Sequence, residues 1–320
     1  MATTDMLTLF ADWFTYVLLR MPEGTVLSDA VHFFVYDIIK IYLLLAGVMF
    51  VVGFLQTWLP PERIKGALAR HSRLMSHVLA SLMGAIAPFC SCSAVPMFIG
   101  FVESGVPLGV TMTFLIASPM ITPSGVALLW GLFGVRVATL YVAFGLVISI
   151  VSGLLMGRLH LERWVEDYVY QTRVGKGTAS TPSLADRLRA SWNYMREIFR
   201  RVAPWVAGGV AIGAFIHGYV PDDVLVRYAG RDNPLGVLVA VLLGIPLYSN
   251  AEGVIPIVQA LWAKGLPLGT ALAFMMAVTG LSLPESLILR RVLKPKLLAT
   301  FIAIVGAGII LVGYLFNALM

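Results

Sequence analysis

The sequence predicts an all-α, polytopic transmembrane helical bundle, and three observations carry that prediction. Its 320 residues are 59% hydrophobic and only 12% charged, with a mean hydropathy of +0.87; a water-soluble chain is about a quarter charged. Stretches such as 41–59, 137–155 and 297–315 are almost unbroken apolar runs of the roughly 20 residues that cross a hydrocarbon core. The connections between such runs are mostly short, which leaves no room for a separate soluble domain of ordinary size.

Charge places the ends of these runs. The net charge is +6, and 17 of the 23 Lys and Arg lie in 60–77, 158–201 and 290–296, each flanking an apolar span. Basic clusters so placed mark cytoplasmic loops beside anionic lipid. Membrane lipid is therefore an expected partner and nucleic acid is not. Near the start, Asp5 and Asp12 precede the first base, Arg20, which is not the pattern of a signal peptide. Residues 7–19 are too short to span and read as an interfacial helix.

The chain repeats itself. Gly105-Val-Pro-Leu-Gly109 recurs as Gly265-Leu-Pro-Leu-Gly269, and Pro61, Gly84 and Pro96 recur as Pro221, Gly244 and Pro256, all 160 residues on. Ala138-Thr139 and Gly145 match Ala299-Thr300 and Gly306 at 161. The chain thus divides into an N-terminal interfacial helix and loop (1–33), membrane repeat one (34–159), a polar cytoplasmic linker (160–199) and membrane repeat two (200–320). Each repeat has about four apolar segments, at 36–59, 78–102, 106–132 and 137–157 in the first. Corresponding loops differ in charge in opposite senses, which points to repeats of opposite orientation. Opposite orientation needs an odd number of crossings per repeat, so one middle segment must be re-entrant. Parallel repeats of four plain crossings are the alternative.

The middle segments are broken in both repeats. Ala87-Pro-Phe-Cys-Ser-Cys-Ser-Ala-Val-Pro96 stands opposite Gly244-Ile-Pro-Leu-Tyr-Ser-Asn-Ala-Glu-Gly-Val-Ile-Pro256, and Ser118-Pro-Met-Ile-Thr-Pro-Ser-Gly125 opposite Gly280-Leu-Ser-Leu-Pro-Glu-Ser286. Proline removes a backbone donor and clashes with the preceding turn. Gly/Pro-interrupted spans at matching places in two halves point to a solute site near the midplane. The candidate substrate-binding residues are Cys90, Ser91, Cys92, Ser93, Thr122 and Ser124 in the first repeat and Ser249, Asn250 and Ser282 in the second. Glu252 and Glu285 are the coupling candidates, because a carboxylate in an apolar span faces the protein interior or a cavity and there suits a proton carrier or a cation ligand.

Cys90 and Cys92 are too close in sequence for an unstrained disulfide. As thiolates they suit a thiophilic metal or metalloid, converging on one ion only where the backbone unwinds. His32, His71, His77, His160 and His217 have no ligand spacing and read as interfacial. The chain has no phosphate-binding loop, no H-E-x-x-H and no G-x-S-x-G, so neither an enzyme nor a cofactor is expected.

Pro88-Phe-Cys-Ser-Cys-Ser-Ala-Val-Pro96, Gly105-Val-Pro-Leu-Gly109 and Ser118-Pro-Met-Ile-Thr-Pro-Ser124 together resemble the predicted permeases of the ArsP/YraQ type, over roughly residues 34–320. The resemblance implies a multi-spanning inner-membrane permease, with members linked to efflux of organoarsenicals or of metal ions. It makes Cys90 and Cys92 candidate metal ligands, although the chain lacks a third cysteine for a three-thiolate arsenic site. The expected function is a secondary transporter, an exporter of a thiophilic metal or metalloid. A channel for a small solute or ion, or a membrane subunit of a larger complex, are the alternatives.

Overall fold

The computed structural model describes residues 2–22, 24–56, 72–86, 91–103, 105–159, 161–166, 183–219, 229–230, 233–247, 251–290 and 292–320. Among these the regular structure is helical, joined by short turns, apart from one isolated bridge between Val165 and Leu293. Helix α1 (Ala2–Asp12) continues into a π-helical turn (Trp13–Leu18). There follow α2 (Val26–Gln56), α3 (Arg73–Ile86), α4 (Ser91–Glu103), α5 (Leu108–Met120) and α6 (Pro123–Arg158). After a short turn at Leu161–Trp164 come α7 (Leu184–Tyr219), α8 (Gly236–Gly244), α9 (Ala251–Ala263), α10 (Leu268–Gly280), α11 (Leu283–Leu289) and α12 (Pro295–Leu319). Among the described residues three stretches, Pro123–Arg158, Leu268–Leu289 and Pro295–Leu319, are long and apolar enough to cross a membrane.

The middle apolar segments of the first half are each divided where the sequence carries paired prolines. Segment 78–102 divides into α3 and α4, and segment 106–132 divides at Ile121–Thr122 into α5 and the start of α6. Pro119 lies inside the last turn of α5 and Pro123 opens α6, so the backbone donors that would carry one helix through are missing. Thr122 caps the new helix, its side chain accepting from Gly125 N at 3.3 Å. Helix α6 is itself bent at Gly134, whose φ of 85° and ψ of 168° lie where a residue with a Cβ is strained. Helix α7 begins at Leu184, inside the span read as linker.

Directions follow from named contacts. His77 of α3 bonds Thr113 of α5, and a Cβ at Gly84 would meet Phe114 O, Ala117 and Ser118 N, so α3 and α5 run the same way. The turn at Gly105 (φ 79°) folds α4 back onto α5, with Phe101 edge-on to Phe114. Helix α6 returns against α5: Gly109 lies on Gly153, and Ile121 on Gly145. Helices α6 and α12 cross antiparallel, with Phe144 on Phe316 and Ile148 on Gly308.

The contacts of Gly84 and Gly109 have counterparts 160 residues on. Gly244 lies on Phe274 O and Ala277, and Gly269 on Gly313 O and Asn317. Helices α4 and α9, and α5 and α10, have bounds 160 apart, and the turn at Gly265 (φ 95°) matches that at Gly105. The core helices α5 and α10 are buried along their whole described lengths, save Leu268. At 13 residues each they are about 20 Å long, which is too short to cross a bilayer alone.

Candidate functional site

The two helix breaks meet at the centre of the molecule. Helix α5 ends at Met120 and α10 at Gly280, and a Cβ on Gly280 would meet the Met120 side chain at 2.9 Å. A helix end leaves carbonyls without intrahelical partners. Here the Ile121 and Leu281 amides return to Ala117 O and Ala277 O, and the Tyr141 hydroxyl donates to Met120 O at 2.9 Å. Tyr141 is 1% exposed, with the Thr279 side chain beside it. Below the second break, Leu283 N donates to Ile245 O at 2.8 Å, which ties the start of α11 to the end of α8.

Glu285 sits in the first turn of α11, three residues past Ser282. It is 2% exposed, and its Oε2 has no hydrogen-bond partner among the described residues. Such an arrangement is costly for an ionised carboxylate in a low-dielectric interior. Helix α11 packs against α4 and α7. Its far end is clipped to the end of α6: Lys294 N donates to Trp164 O at 2.8 Å, Glu166 N to Val292 O at 2.9 Å, and Arg290 Nη1 to Glu166 Oε1 at 3.2 Å. Glu285 is thus five residues from a bonded turn, yet buried and not at an open interface.

The other predicted residues are placed unevenly. Ser282 is buried at the second break, and Thr122 is half-buried at the first as a helix cap. Ser124 is exposed. Ser91, Cys92 and Ser93 open α4, and Glu252 lies in the first turn of α9; their side chains are outside the described set. Cys90, Ser249 and Asn250 lie outside the described residues altogether. Helix α9 comes against α6 where a Cβ on Gly125 would meet Ala251 at 2.9 Å, so the break in one half adjoins a helix start in the other. Among the described residues, no three His, Cys, Asp or Glu side chains form a metal-sized cluster.

Two residues departed from the sequence reading. His77, read as interfacial, is 2% exposed, with its Nδ1 2.7 Å from Thr113 Oγ1. The Thr113 hydroxyl donates to Gly109 O at 3.0 Å, so its oxygen is left to accept from Nδ1–H. Burial is tolerable because the ring is paired. Tyr141 was not singled out at all; a lone phenol in an apolar run was its one signal.

A family described as a predicted permease, ArsP_1, matches residues 26–318. The chain is similar to the UPF0718 protein MJ0584 of Methanocaldococcus jannaschii, 22% identical over 299 residues, covering 76% of this chain and 82% of that protein. It is similar to the UPF0718 protein YraQ of Escherichia coli, 26% identical over 275 residues, covering 82% and 73%. A Streptococcus mutans protein, whose name proposes it as a subunit of a two-component membrane permease complex, is 23% identical over 262 residues, covering 78% and 82%. No solved structure matches the chain.

Proposed function

The chain belongs to the ArsP_1 family of predicted permeases, and we propose that it is a secondary transporter whose substrate passes between the paired helix breaks. The observation that carries this reading is Glu285, a buried carboxylate with an unpartnered oxygen beside a break that has a counterpart in the other half. Broken helices offer unpaired N–H and C=O groups and dipole ends to a solute. A carboxylate there exchanges a proton or a cation as access alternates between the two sides. Glu252, in the first turn of α9, is the second coupling candidate.

The two halves are, on this reading, inverted repeats. The antiparallel crossing of α6 and α12 supports it, since these helices occupy equivalent places in the two halves. Each half then has three crossings: α2, α5 with the start of α6, and the rest of α6; their counterparts are α7, α10 with α11, and α12. Helices α3 with α4, and α8 with α9, enter and leave on one side as re-entrant pairs. On this reading Arg73, Arg158, Arg189 and Lys294, near the ends of their helices, share one face, which the positive-inside rule makes cytoplasmic. The same reading assigns the protein to the inner membrane of a cell that has two.

The substrate we propose is a thiophilic metal or metalloid species moved outward, because Cys90 and Cys92 are the only soft thiol donors in the chain. The hydroxyls of Ser91, Ser93, Thr122, Ser124, Ser249 and Ser282, and the Asn250 amide, complete the proposed path. The test is transport in proteoliposomes under an imposed pH gradient, with Cu(I), zinc, arsenite and methylarsenite as probes. Glu285→Gln is expected to abolish gradient-driven movement while the protein stays folded; wild-type rates would remove Glu285 from the mechanism. Cys90→Ser with Cys92→Ser is expected to lose the transported species; unchanged movement would reduce the cysteines to packing.

A second reading has support in the Streptococcus mutans relative, named for a two-component complex. On this reading the chain is one membrane subunit and transports only with a partner. A stoichiometric partner that co-purifies from native membrane, and without which proteoliposomes are inert, would establish it.

A further inference from the structure

Helix α7 is 36 residues, about 54 Å long, which is far more than a bilayer core requires. Its apolar part begins at Val202, and the preceding 184–201 carry five arginines against Asp186 and Glu197. Arg189, Asn193, Arg196 and Arg200 recur at spacings of four, three and four, so they share one helix face. Phe199, on the flank of this face, is edge-on to Tyr42 of α2, and the Tyr42 hydroxyl donates to Ala203 O one turn further on. Arg189, Asn193, Arg196 and Arg200 are all exposed.

Asn193, Arg196, Glu197 and Arg200 line a cleft of about 410 Å³. Neither Arg196 nor Arg200 makes a hydrogen bond or ion pair with any described residue. Other arginines are engaged: Arg290 with Glu166, and Arg189 with the charge of Asp186. Two unpartnered guanidinium groups lie one turn apart, two to six residues outside the apolar stretch, a spacing that suits the headgroup layer when that stretch is in the hydrocarbon. Trp192, beside them, is 55% exposed, as suits an interfacial anchor.

We propose that this cleft is a binding site for the headgroup of an anionic phospholipid. Arg196 and Arg200 would hold the phosphate by forked hydrogen bonds, and Asn193 and Glu197 would meet the polar substituent beyond it. Arginine suits a phosphodiester because its planar fork matches two oxygens, and the apolar continuation of α7 gives the acyl chains a surface. The inference rests only on the membrane placement of α7, not on the transport reading.

The test is native mass spectrometry of the full chain in detergent, titrated with dioleoyl-phosphatidylglycerol, dioleoyl-phosphatidylcholine or inorganic phosphate. The wild type is expected to retain phosphatidylglycerol at least tenfold more tightly than phosphatidylcholine. Arg196→Gln with Arg200→Gln is expected to remove that preference, and Arg187→Gln with Arg189→Gln to leave it within threefold. Equal losses in both pairs would mean diffuse charge and overturn the site. Displacement of the lipid by equimolar phosphate would make a free anion the occupant and overturn it too. Arg196→Lys with Arg200→Lys keeps charge and stem length, guarding against loss of fold. It is expected to bind more weakly than wild type; wild-type affinity would overturn the forked contact.

Discussion

The two halves of the molecule place their helices alike and hold them together differently. In both, a glycine pair brings backbones into contact, Gly109 with Gly153 and Gly269 with Gly313. In the first half the surrounding helices are joined by hydrogen bonds, His77 to Thr113 and Ser81 Oγ to Ser149 Oγ at 2.7 Å. The residues 160 further on are Val237, Ala273, Val241 and Ile309. The second half has instead Asn317 Nδ2 donating to Thr270 Oγ1 at 3.0 Å, where the first has Gly157 and Val110. Close backbone approach is thus the shared requirement, and polar pairing is an exchangeable means to it. This accords with bilayers, where apolar burial gives helices no preference for each other over lipid. What differs at the centre is then informative: 160 residues apart, Glu285 stands where the first half has Gly125, and the buried Tyr141 where the second has the buried Phe301.

The comparison can be broken most directly at the glycines. A Cβ on Gly153 would run into the Thr113 hydroxyl and lie 2.6 Å from Gly109 O. Gly153→Ala is expected to destabilise the protein by about 3 kcal/mol in reversible detergent unfolding. A Cβ on Gly313 meets side-chain methyls instead, Val237 Cγ1 at 2.6 Å and Ala273 Cβ at 2.8 Å. Val237 can turn aside, so Gly313→Ala is expected to cost about 2 kcal/mol. An equal cost at both would show that the halves tolerate crowding alike.

Next in size is Tyr141→Phe, which copies the second half into the first. It leaves Met120 O without its donor, and a loss of about 1 kcal/mol is expected in the same assay. No loss would mean that water or a neighbour replaces the hydroxyl. Smaller still is the coupling of His77 to Thr113. A double-mutant cycle of His77→Val and Thr113→Ala is expected to give about 0.6 kcal/mol, as for other interhelical hydrogen bonds in membranes. A value near zero would make the pair incidental to packing.

The smallest effect concerns the starts of the long helices. Thr25 and Ser28 cap α2 with uncharged groups, Ser28 N donating to Thr25 Oγ1 at 3.2 Å. At α7, Ser183 Oγ donates to Asp186 Oδ2 at 2.7 Å and Ser183 N to the same oxygen at 3.2 Å. These bonds, the hydroxyl's first, hold the Asp186 carboxyl below its ordinary range. The stabilisation is full above the unfolded aspartate value of about 4 and is lost as pH falls through the lower folded value. Amide exchange in the first turn of α7, corrected for intrinsic rate, is expected to rise below about pH 4, and more steeply than that of α2, whose first turn carries Asp29. Asp186→Asn is expected to abolish the difference.

Much of this was legible in the residues. Paired prolines marked the breaks, and 118–125 and 280–286 contain the ends of α5 and α10. Glu285 stood out because a carboxylate in an apolar run needs a reason. Tyr141 and the burial of His77 did not stand out. In a bundle that is apolar on its lipid face as well as its core face, hydrophobic periodicity does not say which side of a helix points inward.

By itself the sequence determined that this chain enters a membrane, where its helices break, and which of its ends are basic, because each of these follows from composition along a single segment. Only the tertiary structure decided that the two breaks meet, that the Tyr141 hydroxyl caps a carbonyl freed at one of them, and that Glu285 is sealed beside the other. Those facts depend on crossing angles and register between distant helices, which are set by where glycines let backbones touch, and no local pattern records them.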